Sequence, residues 1–264
     1  MMGDEKGMVH DMGMVHFIGA GPGDPELLTI KGQRLIAGAD LVLYAGSLVP
    51  PEVVACARPG ARVVDSAPLS LDQTHALIME TVRQGGTVAR VHTGDPSLYG
   101  AIREQMDLLA RDGVPCAVVP GVTSAFAAAA LAGRSYTVPE VTQTLILTRL
   151  AGKTPVPETE SLRSLAAHGS AMCVYLSAGD PAGVQGELLA GGLAPATLVV
   201  IARRVGWPDQ AVVETDLAHL AATARERGFT RQTVFLILPG QGAHDAGQAR
   251  SLLYDPGFSH MFRT

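Results

Sequence analysis

Short apolar runs alternate with longer stretches of helical periodicity through the first half of this 264-residue chain. That alternation constrains the fold more than any other feature. Val15–Ile18, Leu41–Tyr44, Thr87–Val91 and Cys116–Val119 have the length and apolar content of buried strands. Asp24–Ala37, Asp72–Arg83, Ser97–Arg111 and Thr123–Leu131 have helical spacing. Parallel neighbours need a crossover between them, so this order favours a mostly parallel sheet with helices on its faces.

The texture breaks at Gly133–Val141, which is polar, holds Pro139 and shows no apolar period. A second series follows: strands at 144–147, 171–176, 198–202, 211–214 and 233–238, with helices at 158–167, 182–190 and 217–227. The strands near 200 and 212 have no helix between them, which predicts antiparallel pairing and a mixed sheet. The reading is an α/β fold of two lobes, 14–135 and 142–240, with a tail at 241–264. A site between lobes is the ordinary expectation. Met8-Val9-His10 recurs as Met14-Val15-His16, and residues 1–13 read as a disordered extension ahead of the folded start.

Composition narrows the function. With 47% hydrophobic residues the chain can build a core. Twenty basic against 25 acidic residues give a net charge of −5, which argues against a nucleic-acid partner. The longest uncharged run, Gly113–Gly133, is broken by Pro115, Pro120 and Gly121, so no membrane span is expected. Asp4 and Glu5, with no apolar stretch beside them, do not read as a secretory signal. Cys56, Cys116 and Cys173 are widely spaced and the eight histidines are scattered, so the expectation is reduced thiols, a cytoplasmic setting and no metal.

Gly-Asp-Pro occurs at 23–25, 94–96 and 179–181, each time after a strand and ahead of a helical pattern. Glycine permits an unusual turn, aspartate is a good N-cap, and proline at the first helical position loses no hydrogen bond. At Asp180 a plain helix cap is the preferred reading. Such turns also lie at strand carboxyl ends, where open α/β sheets bind ligands. A nicotinamide cofactor is disfavoured. In Gly19-Ala20-Gly21-Pro22-Gly23-Asp24 the third glycine comes one place early, and Tyr44-Ala45-Gly46 offers no acid for a ribose.

Gly19–Thr29 (GAGPGDPELLT), Thr93–Gly100 (TGDPSLYG) and Pro120–Ala128 (PGVTSAFAA) resemble, in order and separation, three signatures of the S-adenosylmethionine-dependent tetrapyrrole methyltransferases. Leu43–Val49, Trp207-Pro208-Asp209-Gln210 and Ser251–Arg263 are similar to the precorrin-4 C(11)-methyltransferase subgroup. The resemblance implies the tetrapyrrole methylase fold, with an active site in the cleft between two α/β lobes. It also implies a homodimer, S-adenosyl-L-methionine as methyl donor with S-adenosylhomocysteine as product, and a precorrin-4 substrate in cobalamin biosynthesis.

Carried over position by position, the resemblance implies cofactor contacts at Pro22, Thr93, Gly94, Asp95, Leu98, Thr123 and Ser124. In the second lobe it implies Leu176 and Gly206. Related uroporphyrinogen methyltransferases place an acid where this chain has Ala45, and their nearby lysine has no evident match. Making a quaternary carbon releases no proton from that carbon, so no catalytic base is assigned. Asp95 would steer the cofactor's ammonium group, cap its helix, or do both. The substrate carries many carboxylates, so arginines are expected to meet it. Arg90, Arg149 and Arg203 are the candidates, with Arg134 and Arg204 nearby, and Tyr44 and Ser47 are possible macrocycle contacts. Met106 and Met172 read as packing residues, and Trp207 as an adenine cover or a lobe-edge anchor. A cobalt-precorrin-4 methyltransferase of the anaerobic pathway and a non-catalytic tetrapyrrole carrier on the same scaffold are the competing readings.

Overall fold

The computed structural model describes residues 12–242, 251, 257–259 and 261, so residues 1–11 and most of the tail lie outside the description. The chain divides into two compact units after Ser124.

The first unit holds a five-stranded sheet. Its strands are β1 (Val15–Gly19), β2 (Leu41–Tyr44), β3 (Arg62–Asp65), β4 (Val88–His92) and β5 (Cys116–Val119), in the order β3-β2-β4-β1-β5. All four pairings are parallel, so every carboxyl end lies on one edge. The crossovers carry α1 (Ile30–Gly38), α2 (Pro51–Val54), α3 (Leu71–Val82) and α4 (Ile102–Arg111). On one face of the sheet Ile18, Val42, Ala89 and Val91 pack with Ile36 of α1 and Val53 of α2. On the other, Phe17, Leu43 and Val88 pack with Ile78 of α3 and Leu109 of α4. The neighbours β1 and β4 therefore send their connections to opposite faces. Their carboxyl ends form a topological switch point, where open α/β sheets leave room for a ligand.

The second unit opens with α5 (Ser124–Leu131), whose first residue belongs to the first unit. Its sheet contains β6 (Leu145–Arg149), β7 (Ala171–Tyr175), β8 (Leu198–Arg203), β9 (Ala211–Asp216) and β10 (Thr233–Leu238), in the order β6-β7-β10-β8-β9. Only β6 and β7 are parallel; β10 runs antiparallel to β7 and β8, and β9 to β8. The antiparallel β8–β9 pair matches the absence of a helix between them. Every residue of β10 is buried. Leu162 of α6 (Leu162–Ala166), Val184 and Leu188 of α7 (Pro181–Ala190), and Leu220 of α8 (Leu220–Glu226) share a core with Met172 and Phe235.

Three local expectations change. The helix read at Asp24–Ala37 is a 3-10 turn, Pro25–Leu27, followed by α1, because Thr29 caps the Gly32 N–H and starts a new helix. The helix read from Ser97 begins only at Ile102, since Tyr99 and Ala101 have left-handed backbone, φ 56° and 47°. The elements α2 and β3 carry no legible periodicity; β3 is an edge strand with Arg62, Val63 and Asp65 all exposed. No helix among the described residues is long and apolar enough to cross a membrane.

Candidate functional site

Loops leave the carboxyl ends of the adjacent strands β4, β1 and β5, and glycine lets their backbones touch. Gly94 N–H donates to Gly21 O at 2.7 Å, and Gly21 N–H to Gly94 O at 3.2 Å. A Cβ added to Gly121 would lie 2.2 Å from Gly94 O and 2.7 Å from Gly19 Cα. One added to Gly19 would lie 2.5 Å from the Gly121 nitrogen. These neighbours are backbone atoms and cannot swing aside, so only glycine fits at either position. Three signature motifs that are far apart in sequence thus meet at the switch point between β1 and β4.

Asp95 fastens this contact. Its carboxylate accepts the Gly121 N–H at 3.0 Å and the Ser97 N–H at 2.9 Å, and also the Ser97 hydroxyl. Partial burial would raise its pKa, but the hydrogen bonds from the Ser97 hydroxyl and the Gly121 and Ser97 N–H groups outweigh that effect. The carboxyl is held below the usual carboxylate range. Asp95 caps no helix, because α4 starts seven residues later behind Ala101. Asp24 caps only the short 3-10 turn, through Glu26 N–H at 2.9 Å. Asp180 accepts from Gly183 N–H at 2.9 Å with Pro181 at the first position of α7, the plain cap expected of it.

Thr123 is buried beside this cluster, and a Cβ on Gly94 would stand 3.7 Å from its Cα and 4.0 Å from the Ser124 nitrogen. The structure therefore brings Pro22, Thr93, Gly94, Asp95, Thr123 and Ser124 together. Leu98 joins them through its N–H, which donates to Asp95 O at 3.2 Å.

Arg90 lies elsewhere than at an exposed strand end. It is 8% exposed, on the β4 face that packs against α3 and α4. Its Nε donates to Gln105 Oε1 at 3.0 Å and one terminal nitrogen to Ser66 Oγ at 2.8 Å, and Ser66 in turn donates to Tyr44 O at 3.0 Å. Gln105 Nε2 donates to Ala101 O at 3.1 Å. Burial lowers the guanidinium to about 10, which leaves it charged at neutral pH. Its hydrogen bonds thus tie the end of β2 to the residue before α4, inside the lobe.

β2 ends at Tyr44, half-buried against the core, and the loop after it carries Ser47, exposed. Beside it stands a carboxylate that reasoning from the sequence missed. Tyr44 and Asp65 are register partners, and Asp65 Oδ1 accepts the Gly46 N–H at 2.9 Å and the Ala67 N–H at 2.8 Å. The acid absent at Ala45 has a spatial neighbour on the adjacent strand. No sequence signal pointed to it, because β3 itself was not legible.

In the second unit β6, β7 and β8 run in one direction, so Arg149, Leu176 and the 204–210 loop follow the same sheet edge. Leu176 is left-handed, φ 54°, with its side chain 69% exposed. Gly206, φ 80°, donates its N–H to Gln210 Oε1 at 3.0 Å. The Arg204 guanidinium lies 4.0 Å from the Trp207 ring centroid, so Trp207 anchors its own loop. Arg203 and Arg204 both pair with Asp209, at 3.3 and 2.6 Å. Arg149 donates to Thr154 O and Pro155 O, and Arg134 makes a bidentate pair with Glu214, both contacts 2.8 Å. Each expected substrate arginine is thus already hydrogen-bonded within its own unit. Among the described residues no group of three histidine, cysteine or acidic side chains is arranged to hold a metal ion.

The comparisons with known proteins bear on the same loops. A family model of tetrapyrrole (corrin/porphyrin) methylases matches residues 14–221. A protein named precorrin-4 C(11)-methyltransferase from Pseudomonas aeruginosa is 46% identical over 249 residues, 94% of this chain and 98% of the relative. The X-ray structure of a cobalamin biosynthetic enzyme, cobalt precorrin-4 methyltransferase, is similar with a TM-score of 0.83 and 45% identity, covering 85% of this chain and 94% of that one. Uroporphyrin-III C-methyl transferase from Thermus thermophilus, complexed with S-adenosyl homocysteine, gives a TM-score of 0.71 at 29% identity over 86% and 97% of the two chains. With the glycine contact at the switch point and a match of this extent, the chain belongs to the tetrapyrrole (corrin/porphyrin) methylase family.

Proposed function

We propose that this protein transfers a methyl group from S-adenosyl-L-methionine to carbon 11 of precorrin-4, giving precorrin-5 in cobalamin biosynthesis. The observation that carries the reading is 46% identity along nearly the whole length of a relative bearing that activity's name. A relative named for the cobalt-bound substrate, from Priestia megaterium, is equally similar at 46%. Cobalt-precorrin-4 is therefore the second substrate to test. We read the protein as a homodimer, as the resemblance implies, and as cytoplasmic, on its widely spaced cysteines.

The residues present fit the cofactor. Bare backbone at Gly94, where a Cβ would meet nothing closer than 3.7 Å, permits close approach, and the Asp95 carboxylate has the charge to face a cationic donor. When bound, S-adenosyl-L-methionine supplies an electrophilic methyl on a sulfonium centre. In this reading Pro22, Thr93, Gly94, Asp95, Leu98, Thr123 and Ser124 hold and orient it; Leu176 and Gly206 are further cofactor contacts on the resemblance alone. Orientation is the main service asked of the protein, since approximation lowers a barrier by on the order of 7–11 kcal/mol in the best cases. Tyr44, Ser47 and the second-unit arginines are the proposed substrate contacts, the arginines by exchanging present partners for substrate carboxylates. Arg90 we assign to positioning the loops after β2 and β4, because its donors are engaged inside the lobe.

Calorimetric titration with S-adenosylhomocysteine and, separately, NAD tests the cofactor reading. Wild type should bind the first at micromolar concentration and not the second, and Asp95→Ala should weaken binding about tenfold, the loss of one charge-assisted hydrogen bond. Failure of wild type to bind S-adenosylhomocysteine would remove the assignment and favour the carrier reading. Methyl incorporation into precorrin-4 against cobalt-precorrin-4 then separates the two substrates.

A further inference from the structure

Helix α5 begins at Ser124, so the Ala125 N–H is one of the first four donors that a helix cannot satisfy internally. Two tyrosines from elsewhere in the second unit meet this one residue. The Tyr175 hydroxyl, at the end of β7, accepts the Ala125 N–H at 2.8 Å. The Tyr136 hydroxyl, in the connector after α5, donates to Ala125 O at 2.8 Å. The residue is gripped at both polar atoms, and Thr123 and Ser124 are joined to it directly along the chain.

The grip has a firm base. Tyr136 is buried, and its ring meets Phe126 edge-on, with centroids 6.1 Å apart. The buried thiol of Cys173 shares a face of β7 with Tyr175. Burial pushes that thiol up to about 12, so it stays neutral and does not compete as an ionised acceptor. The Tyr175 backbone is fixed as well: Ser177 Oγ donates to Tyr175 O at 2.6 Å and accepts the Leu150 N–H at 2.8 Å. The next residue is Leu176, left-handed and exposed. One side chain thus links the backbone that carries Leu176 to the backbone that follows Ser124, two of the proposed cofactor segments.

We infer that Tyr136 and Tyr175 are positioning residues, which set the Thr123–Ser124 segment against the cofactor by clamping Ala125. The inference rests on the cofactor role proposed for that segment. Neither hydroxyl needs to touch the ligand; each acts through the Ala125 backbone.

Tyr136→Phe, Tyr175→Phe and the double variant keep the rings and remove the hydroxyls. Phe126→Leu serves as a control that loosens the same packing and leaves both hydroxyls in place. Each is titrated with S-adenosylhomocysteine well below its thermal midpoint, and the KM for precorrin-4 is measured alongside. Tyr175→Phe should raise the S-adenosylhomocysteine Kd about tenfold, and the double variant further, while KM changes less than twofold. Phe126→Leu should lower the thermal midpoint with Kd unchanged. A lowered midpoint with unchanged Kd in all three tyrosine variants would overturn the inference and leave the tyrosines as stabilising residues only. Absent binding by wild type would instead refute the cofactor reading, a different result.

Discussion

Gly121, like Gly19 and Gly94, has no side chain, and it is among the most constrained residues in the candidate site. Its missing Cβ leaves room for Gly94 O, which would otherwise be 2.2 Å away. Gly121→Ala should lower the unfolding free energy by about 3 kcal/mol in urea titrations and abolish S-adenosylhomocysteine binding, because two backbones must separate. Binding of wild-type strength would show that the loop contact is not needed for the ligand. His92, next along β4 from Val91, makes a different prediction. Its Nε2 is buried with no partner, and burial, reinforced by the nearby Arg90 charge, lowers its pKa to about 3. The unfolded chain binds a proton near pH 6.5 that the folded chain refuses until about pH 3, so stability must fall as pH drops through that window. The slope contributed is at most about 1.4 kcal/mol per pH unit. His16 shifts in the same direction. Urea midpoints measured at pH 7 and pH 5 should converge in His92→Phe relative to wild type.

At the scale of elements, the three Gly-Asp-Pro copies show how one tripeptide serves three purposes. The third caps α7, the first caps a single 3-10 turn, and the second bonds the loop after β4 to the exit of β5, across β1. Asp180→Ala should cost about 1 kcal/mol of stability, the ordinary value of a lost cap, with no change in S-adenosylhomocysteine affinity. A tenfold loss of affinity in Asp180→Ala would mean that the third copy also serves the site. The first sheet was legible because its inner strands are buried on both faces and read as continuous apolar runs. β3 was not, since an exposed edge strand has no such run, and with it went Asp65. The late start of α4 was also hidden, because left-handed backbone at Tyr99 and Ala101 has no side-chain signature.

For the whole molecule, net charge and local charge oppose each other. At −5 the protein repels a polycarboxylate substrate at long range. Arg149, Arg203 and Arg204 would attract it at short range once they release their present partners. Salt screens exposed charges over about 8–10 Å, so the sign of the salt effect reports which term wins. If the arginines meet the substrate, KM for precorrin-4 should rise several-fold between 0.05 and 0.5 M salt, both concentrations being on the order of those that span this screening range, with S-adenosylhomocysteine affinity little changed. A falling KM would mean that overall repulsion dominates and that these arginines keep their internal partners.

Local periodicity and turn chemistry, read from the sequence alone, determined the alternation of strands and helices, the antiparallel β8–β9 pair, the cap at Asp180 and the three signature loops. Each depends on neighbours a few residues apart, where spacing and side-chain type carry the information. Tertiary structure alone decided which loops meet. Gly19, Gly94 and Gly121 touch because β4, β1 and β5 are adjacent in the sheet, an order no local pattern encodes. The same holds for Arg90, whose charge suggested the surface until the sheet buried it among Gln105, Ser66 and Leu43. It holds also for Tyr136 and Tyr175, whose hydroxyls find a common backbone partner only after β7 and the connector have packed on α5.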